Sequence, residues 1–346
     1  MAQINKPNTH FNPVLYTGNG STQSITGVGF QPDLLWIKNR DASASHALID
    51  SVRGLNSLRS NTTGAEFSNS YFFSSLDSDG FTFNNTETDA NASGVDYVAW
   101  NWLAGGTAVS NTQGSITSSV SANTTSGFSI VSYTGNGTSG ANFGHGLGVK
   151  PACVIVKSRS LGAQNWQFVS KALSATPFAS GNYLKLNATD AMGTNTAVWN
   201  TEPTSSLIYL TSSADTNSSG ATYVCYAFAE KKGFSKFGSY TGNGSTDGTF
   251  VYTGFKPAFV LIRNISSINN WVMLDNKRNS YNVENLILYP NNTDADTSSD
   301  SLDFLSNGFK IRTTGGDRNA SGSTLIYMAF AENPLVGTNN IPATAR

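Results

Sequence analysis

The chain has 346 residues and a formal net charge of −1, and only 12% of its residues are charged, about half the usual share. The length allows two or three domains with proper cores, and the charge balance excludes the basic face of a nucleic-acid-binding protein. Polarity comes from Ser, Thr, Asn and Gly, which favour turns and strands over helices. With 33 glycines and 13 tyrosines, the composition points to an all-β protein. No stretch approaches the ~18 apolar residues needed to cross a bilayer. The start, Met1-Ala2-Gln3-Ile4-Asn5-Lys6-Pro7, lacks the apolar segment of a secretory signal. Neither membrane nor nucleic acid is therefore expected as a partner.

The first element in chain order is Tyr16-Thr17-Gly18-Asn19-Gly20, which returns at Tyr133–Gly137 and Tyr240–Gly244. Asn-Gly and Gly-Asn pairs readily take positive φ, so each copy is expected to form a tight hairpin turn. A proline and an apolar run follow: Pro32 before Leu34-Leu35-Trp36-Ile37, Pro151 before Cys153-Val154-Ile155-Val156, and Pro257 before Phe259-Val260-Leu261-Ile262. Each run ends in a basic residue, Lys38, Lys157 or Arg263, and each is expected to be a strand covered on both faces. A second strand comes next, at His46–Asp50, Trp166–Ser170 and Trp271–Asp275. Alternation puts Trp166 with Phe168, and Trp271 with Met273, on one face; His46 takes the Trp position in the first copy. The only segment with helical character is Val52–Ser60. A terminal strand is announced by Asn91-Ala92-Ser93-Gly94, Asn217-Ser218-Ser219-Gly220 and Asn319-Ala320-Ser321-Gly322.

Such recurrence at domain-sized spacing predicts three tandem antiparallel β-sandwich repeats, at 1–106, 107–232 and 233–335, with a tail at 336–346. The Gly/Ser/Thr-rich stretch from Gly105 to Gly127 is a linker only at its beginning. Alternation of Ile116, Ser118 and Val120, then of Phe128, Ile130 and Ser132, predicts a hairpin whose first strand adds to the second sheet. Glu230-Lys231-Lys232-Gly233 leaves no linker between the second and third units, which should form a rigid pair.

Motifs for chemistry are sparse. The three histidines, His10, His46 and His145, lie far apart, and no zinc pattern, nucleophile elbow or phosphate loop occurs. Gly144-His145-Gly146 is expected to be a turn. Asp77 and Asp79, and Asp294, Asp296, Asp300 and Asp303, form local groups whose expected role is in turns, with glycosidase carboxylates or calcium ligands as the alternatives. Cys153 and Cys225 are expected as buried free thiols, with a disulfide as the alternative. The chain is thus expected to be a non-enzyme without cofactor or metal. Flat rings beside amides are the groups that bind sugars. On that ground Trp199, Asn200, Trp100 and Trp102 are the candidate glycan-binding residues, with Trp199 as the exposed ring. Val336, Ile341 and Arg346 in the polar tail are candidates for docking onto a neighbour.

The run Tyr16–Ser21, Gly29-Phe30-Gln31-Pro32-Asp33, Trp36–Arg40 and Val52-Arg53-Gly54 resembles a repeated domain of marine bacteriophage virion proteins. Ile4–Pro7, Gly114–Ser118, Val120–Asn123, Gly233–Tyr240, Tyr327–Glu332 and the end at Ala345-Arg346 fit the same group, so the resemblance covers nearly the whole chain. It implies concanavalin- or SPRY-like sandwiches, a location in the virion and a tail fibre-like or other structural role, with no catalytic residues to carry over. Host recognition through surface glycans is the first expectation. A capsid decoration or connector protein binding other virion proteins is the alternative, and a polysaccharide depolymerase the second alternative. A homo-oligomer, with a trimer by analogy to fibres, is expected.

Overall fold

The computed structural model describes residues 3–68 and 70–333, and the backbone of 335–336 and 342–343. The first third contains β1 (Phe11–Thr17), β2 (Gln23–Ile25), β3 (Leu34–Asn39), β4 (Ala47–Asp50), β5 (Gly54–Leu58), β6 (Phe73–Asp77), β7 (Gly80–Phe83) and β8 (Asp96–Trp102). The second contains β9 (Val109–Asn111), β10 (Ser118–Asn123), β11 (Phe128–Thr134), β12 (Asn142–Gly144), β13 (Cys153–Ser158), β14 (Gln167–Ser170), β15 (Asn182–Lys185), β16 (Gly193–Thr194), β17 (Leu207–Tyr209) and β18 (Thr222–Phe228). The third contains β19 (Ser235–Thr241), β20 (Phe250–Tyr252), β21 (Pro257–Asn264), β22 (Trp271–Asp275), β23 (Glu284–Ile287), β24 (Thr297–Leu305), β25 (Gly308–Ile311) and β26 (Thr324–Ala331). A last pair, β27 (Leu335–Val336) and β28 (Pro342–Ala343), closes the chain. The protein is all-β, and its sheets are antiparallel.

Three large sheets share one strand order. β1-β8-β3-β4, β11-β18-β13-β14 and β19-β26-β21-β22 each place the opening strand, the closing strand, the proline-led strand and its successor side by side. The proline-led strands β3, β13 and β21 are buried at every residue, as a run covered on both faces requires. The hairpin β10–β11 forms as expected, and β10 extends the second large sheet. Val52–Ser60 is not helical: Gly54, at φ 75°, starts strand β5.

Tyr-Thr-Gly-Asn-Gly is not a hairpin turn. It carries the chain from the large sheet to a smaller outer one, from β1 to β2, β11 to β12 and β19 to β20. The Asn-x-Ser-Gly motif clasps it. Asn91, Asn217 and Asn319 each accept the backbone N–H of the pentad asparagine at 2.9–3.1 Å. The tyrosine hydroxyls return the bond, to the carbonyls of Ala90, Thr216 and Arg318 at 2.6–2.7 Å. A Cβ on Gly18, Gly135 or Gly242 would lie within 2.4 Å of a carbonyl oxygen in the facing motif, so only glycine lets the two loops approach this closely. Two motifs separated by 72, 81 and 76 residues in the three thirds are thus one physical lock.

Each large sheet has two apolar faces. In the first third Leu35, Ile37, Ala47 and Ile49 face the outer sheet residues Phe73, Phe81 and Phe83. Leu34, Trp36, Leu48, Trp100 and Trp102 face the other way, into a core they share with Ile155, Trp166 and Phe228 and with Phe259, Trp271 and Phe330. The three sheets therefore meet back to back around one common interior. Within it lies an apolar cavity of about 20 Å³, room for little more than one water.

Hydrogen bonds give this arrangement a cyclic order. Trp166 Nε1 donates to Arg59 O of the first third at 3.0 Å, and Trp271 Nε1 to Lys185 O of the second at 3.0 Å. His46, at the same position in the first third, reaches Tyr289 O of the third at 3.0 Å. Its Nδ1 accepts from Trp36 Nε1 at 2.9 Å, so Nε2 carries the proton and donates. The basic residues that end the apolar runs form a second cycle: Lys38 to Thr293 O, Lys157 to Thr63 O and Arg263 to Asp190 O. Burial pushes Lys38 and Lys157 down to about 8 and Arg263 down to about 10. Backbone N–H groups of Asp296, Glu66 and Met192, donating to the carbonyls of Arg40, Arg159 and Ile265, form a third cycle. The first third thus leans on the third, the second on the first and the third on the second. The ring closes, and the pairing expected only between the second and third units exists at all three seams.

The seams differ in chemistry. Glu66 bridges Arg53 at 2.9 Å and Arg159 at 3.0 Å, and Asp296 bridges Arg278 and Arg40 at 2.8 Å each. Burial alone would raise the Glu66 carboxyl, but bonds from Arg159 and the charge of Arg53 hold it below its usual value. At the third seam Met192 and Ile265 occupy the corresponding places.

Candidate functional site

The predicted sugar-binding tryptophans are inside. Trp100 and Trp102 are 0% and 2% exposed because β8 turns them toward the shared interior. Trp100 Nε1 donates to Asp275 at 3.1 Å, and the Arg278 guanidinium lies 5.8 Å from its ring. Trp199 is 0% exposed. Its polar-looking segment folds over the core, where the ring meets Phe178 edge-on at 5.2 Å. Asn200 alone of the four is exposed. Of the proposed docking residues, Val336 lies on β27, while Ile341 and Arg346 lie outside the described residues.

Other candidates resolve into structure. Cys153 and Cys225 are buried free thiols. His145 is buried, its Nδ1 accepts the Leu147 N–H at 3.2 Å, and burial pushes it down to about 4. Asp77 accepts the hydroxyls of Ser75 and Thr82, and Asp79 accepts the N–H groups of Gly27 and Gly29, the turn roles expected of them. Among the described residues no cluster of three or more His, Cys, Asp or Glu side chains could hold a metal ion. Two carboxyls are pushed up. Burial and then the nearby Asp89 raise Glu87 to about 7, and burial and then Asp275 raise Glu284 to about 8. Glu284 is 3% exposed, shut away from any polymer.

The site that sequence reasoning missed is on the outer sheet of the third unit, β20-β25-β24-β23. On edge strand β20 the residues alternate: Val251 is buried, while Phe250 and Tyr252 are 44% and 65% exposed. The face beside them is assembled by register. Phe250 pairs with Lys310 and Tyr252 with Gly308. Glycine at 308 lets the two strands approach, since a Cβ there would come within 2.0 Å of the Val251 carbonyl oxygen. Lys310 pairs with Asp247 at 2.8 Å, and Arg312 with Asp303 at 2.5 Å. The Lys310 hydrogen bond and charge hold Asp247 below the usual carboxylate range. The result is two flat rings on an open sheet face, rimmed by four charged side chains in two pairs.

The same place in the first unit carries hydroxyls. Ser24 pairs with Thr82, their oxygens 2.8 Å apart. In the second unit it carries Asn142 opposite Tyr209. The signal was in the sequence: Phe250-Val251-Tyr252 flanks its buried residue with two aromatics, where the other copies have Ser24-Ile25-Thr26 and Asn142-Phe143-Gly144.

Among known proteins, no curated protein and no solved structure matches this chain. One family matches residues 6–334, which takes in all three thirds, and its description is a domain of unknown function, DUF7483. By that match the chain belongs to the DUF7483 family.

Proposed function

We propose that the protein is a non-enzymatic binding component of the bacteriophage particle surface, tail fibre-like in role. In this reading its three units are copies of one sandwich, and it recognises host glycans through the outer face of the third. The observation that carries this is the pair Phe250 and Tyr252, exposed on a rigid sheet in one copy alone. Aromatic faces stack on the apolar side of a sugar ring, while the flanking Asp247, Lys310, Arg312 and Asp303 supply hydrogen bonds to its hydroxyls. The virion setting rests on the sequence resemblance. Purified protein should compete with host adsorption of a phage carrying this chain and bind host surface polysaccharide. The variant Phe250→Ser/Tyr252→Thr, which installs the kind of residue found in the first unit, should do neither. Competition that survives this double change would remove the reading.

A capsid or connector role is the second reading, favoured by the ring itself. Three units closed around one core within a single chain offer a rigid platform for neighbours arranged about an axis. The same closure leads us to propose that the trimer expected of a fibre exists here inside one chain, so light scattering should return the mass of a monomer. Locating the chain in the particle by cryo-EM separates tail from capsid.

A further inference from the structure

We propose that the cleft where the first strand of the chain meets the last unit is a second binding site, for one neutral sugar ring or a polyol of that size. The cleft has a volume of about 180 Å³ and opens between Asn8, Asn12 and Pro13 on one side and Ala258, Asn276 and Asn333 on the other. That is many times the roughly 10–15 Å³ that one water needs, room for a small polar molecule. Four carboxamides stand in its walls, and although Asn12 Nδ2 is held by the carbonyls of Gly27 and Val28 and Asn333 Oδ1 by the Asn8 N–H, the remaining donors and acceptors suit hydroxyls that both donate and accept. Pro13 and Ala258 supply an apolar floor for the C–H face of a ring. The acidic group at the cleft, Glu332, pairs with Lys256 at 2.7 Å, and the exposed Lys277 at the rim adds a further hydrogen-bond donor for hydroxyls. Asn276 lines the cleft, and its Oδ1 has no hydrogen-bond partner among the described residues.

The cleft belongs to this seam. At the seam between the second and third units Phe237 takes the place of Pro13, its ring 6.1 Å from Phe228 and 6.3 Å from Phe330. Lys171 takes the place of Asn276 and pairs with Glu230 at 2.6 Å. There the same position is filled and ion-paired. This site shares no residue with the Phe250–Tyr252 face and stands whether or not that face binds glycans.

The test is a titration of the full chain with glucose, galactose, mannose and N-acetylglucosamine, read by saturation-transfer NMR. At least one sugar should bind saturably. Asn276→Leu, which removes the acceptor, and Ala258→Leu, which fills the floor, should each weaken it at least tenfold. The exposed-side variant Asn8→Ala should weaken it less, keeping the test usable if a cleft variant fails to fold. Phe250→Ser/Tyr252→Thr should leave it unchanged. The proposal is overturned if no sugar saturates, if binding ignores the cleft variants, or if it is lost in the Phe250/Tyr252 variant instead.

Discussion

The inner and outer faces of the three units have had different fates. Toward the shared interior the positions match in kind: a large ring donating to a neighbour's carbonyl, a buried cation donating to another, a backbone bond beside them. Where a residue departs, its neighbour departs with it. His46 replaces the Trp of the other two copies, and Trp36, which donates to it, stands where they have Ile155 and Leu261. Asp50 and Asp275 accept bonds from Tyr226 and Trp100 across their seams, at 2.7 and 3.1 Å. The unit that carries Ser170 at the acidic position is matched by Met328 at the donor position. On the outer sheets no such bookkeeping holds, and Ser24, Asn142 and Phe250 follow one another at one site. Inner positions are constrained in pairs by a closed ring; outer ones are not.

The sharpest way to break the ring is to strip a seam of its acid. Glu66→Ala leaves Arg53 with Asp50 as its remaining acid and the half-buried Arg159 without a carboxylate, and should cost about 2–3 kcal/mol in urea unfolding. Asp296→Ala should cost a similar amount at the seam that joins the ends of the chain. Next is the coupled pair. Trp36→Leu and His46→Trp should each destabilise by about 1–3 kcal/mol, through a cavity and through overpacking. The double variant, which recreates the Leu261–Trp271 arrangement, should be less destabilised than the sum, by about 1 kcal/mol or more in a double-mutant cycle.

Titration sharpens the same contrast. Burial, and then the charge of Lys38, hold the His46 imidazole well below its ordinary 6.5. The unfolded chain therefore binds the proton more readily, and the contribution is complete above about 6.5 and lost as pH falls toward the folded value. Trp36→Leu/His46→Trp should flatten that acid limb of the melting curve. Glu284 has the opposite sign. Its folded value of about 8 exceeds the ordinary 4.5, so the folded chain holds the proton longer and stability falls as pH rises between the two. Glu284→Gln should flatten that limb. The smallest effect belongs to the outer face: Phe250→Ser/Tyr252→Thr should change stability by no more than about 0.5 kcal/mol per site while removing the proposed recognition.

Strand content, the doubly covered proline-led strands and the hairpin at β10–β11 were legible in the sequence because apolar runs and alternation report burial directly. Ring closure was not legible. The acceptors of Trp166, Trp271 and His46 are backbone carbonyls of Arg59, Lys185 and Tyr289, which any residue type provides. For the same reason Trp100 and Trp102 looked available for ligand: alternation assigns a face, and only the neighbouring units decide whether that face meets water. Trp199 misled because burial of a loop ring depends on what the loop lies across. Phe250 and Tyr252 were not legible as a site, because alternation about Val251 marks any half-buried strand and does not say that its outer face stays open.

Native-state hydrogen exchange tests the central claim most directly. The amides of β3, β13 and β21 sit at the centres of three sheets that share one interior, so they should open only in global unfolding, with a single free energy and a single denaturant dependence. Edge strands β2, β12 and β20 should exchange at lower, unequal free energies. Three separate free energies for β3, β13 and β21, one per unit, would contradict the account and return the molecule to three sandwiches on a string.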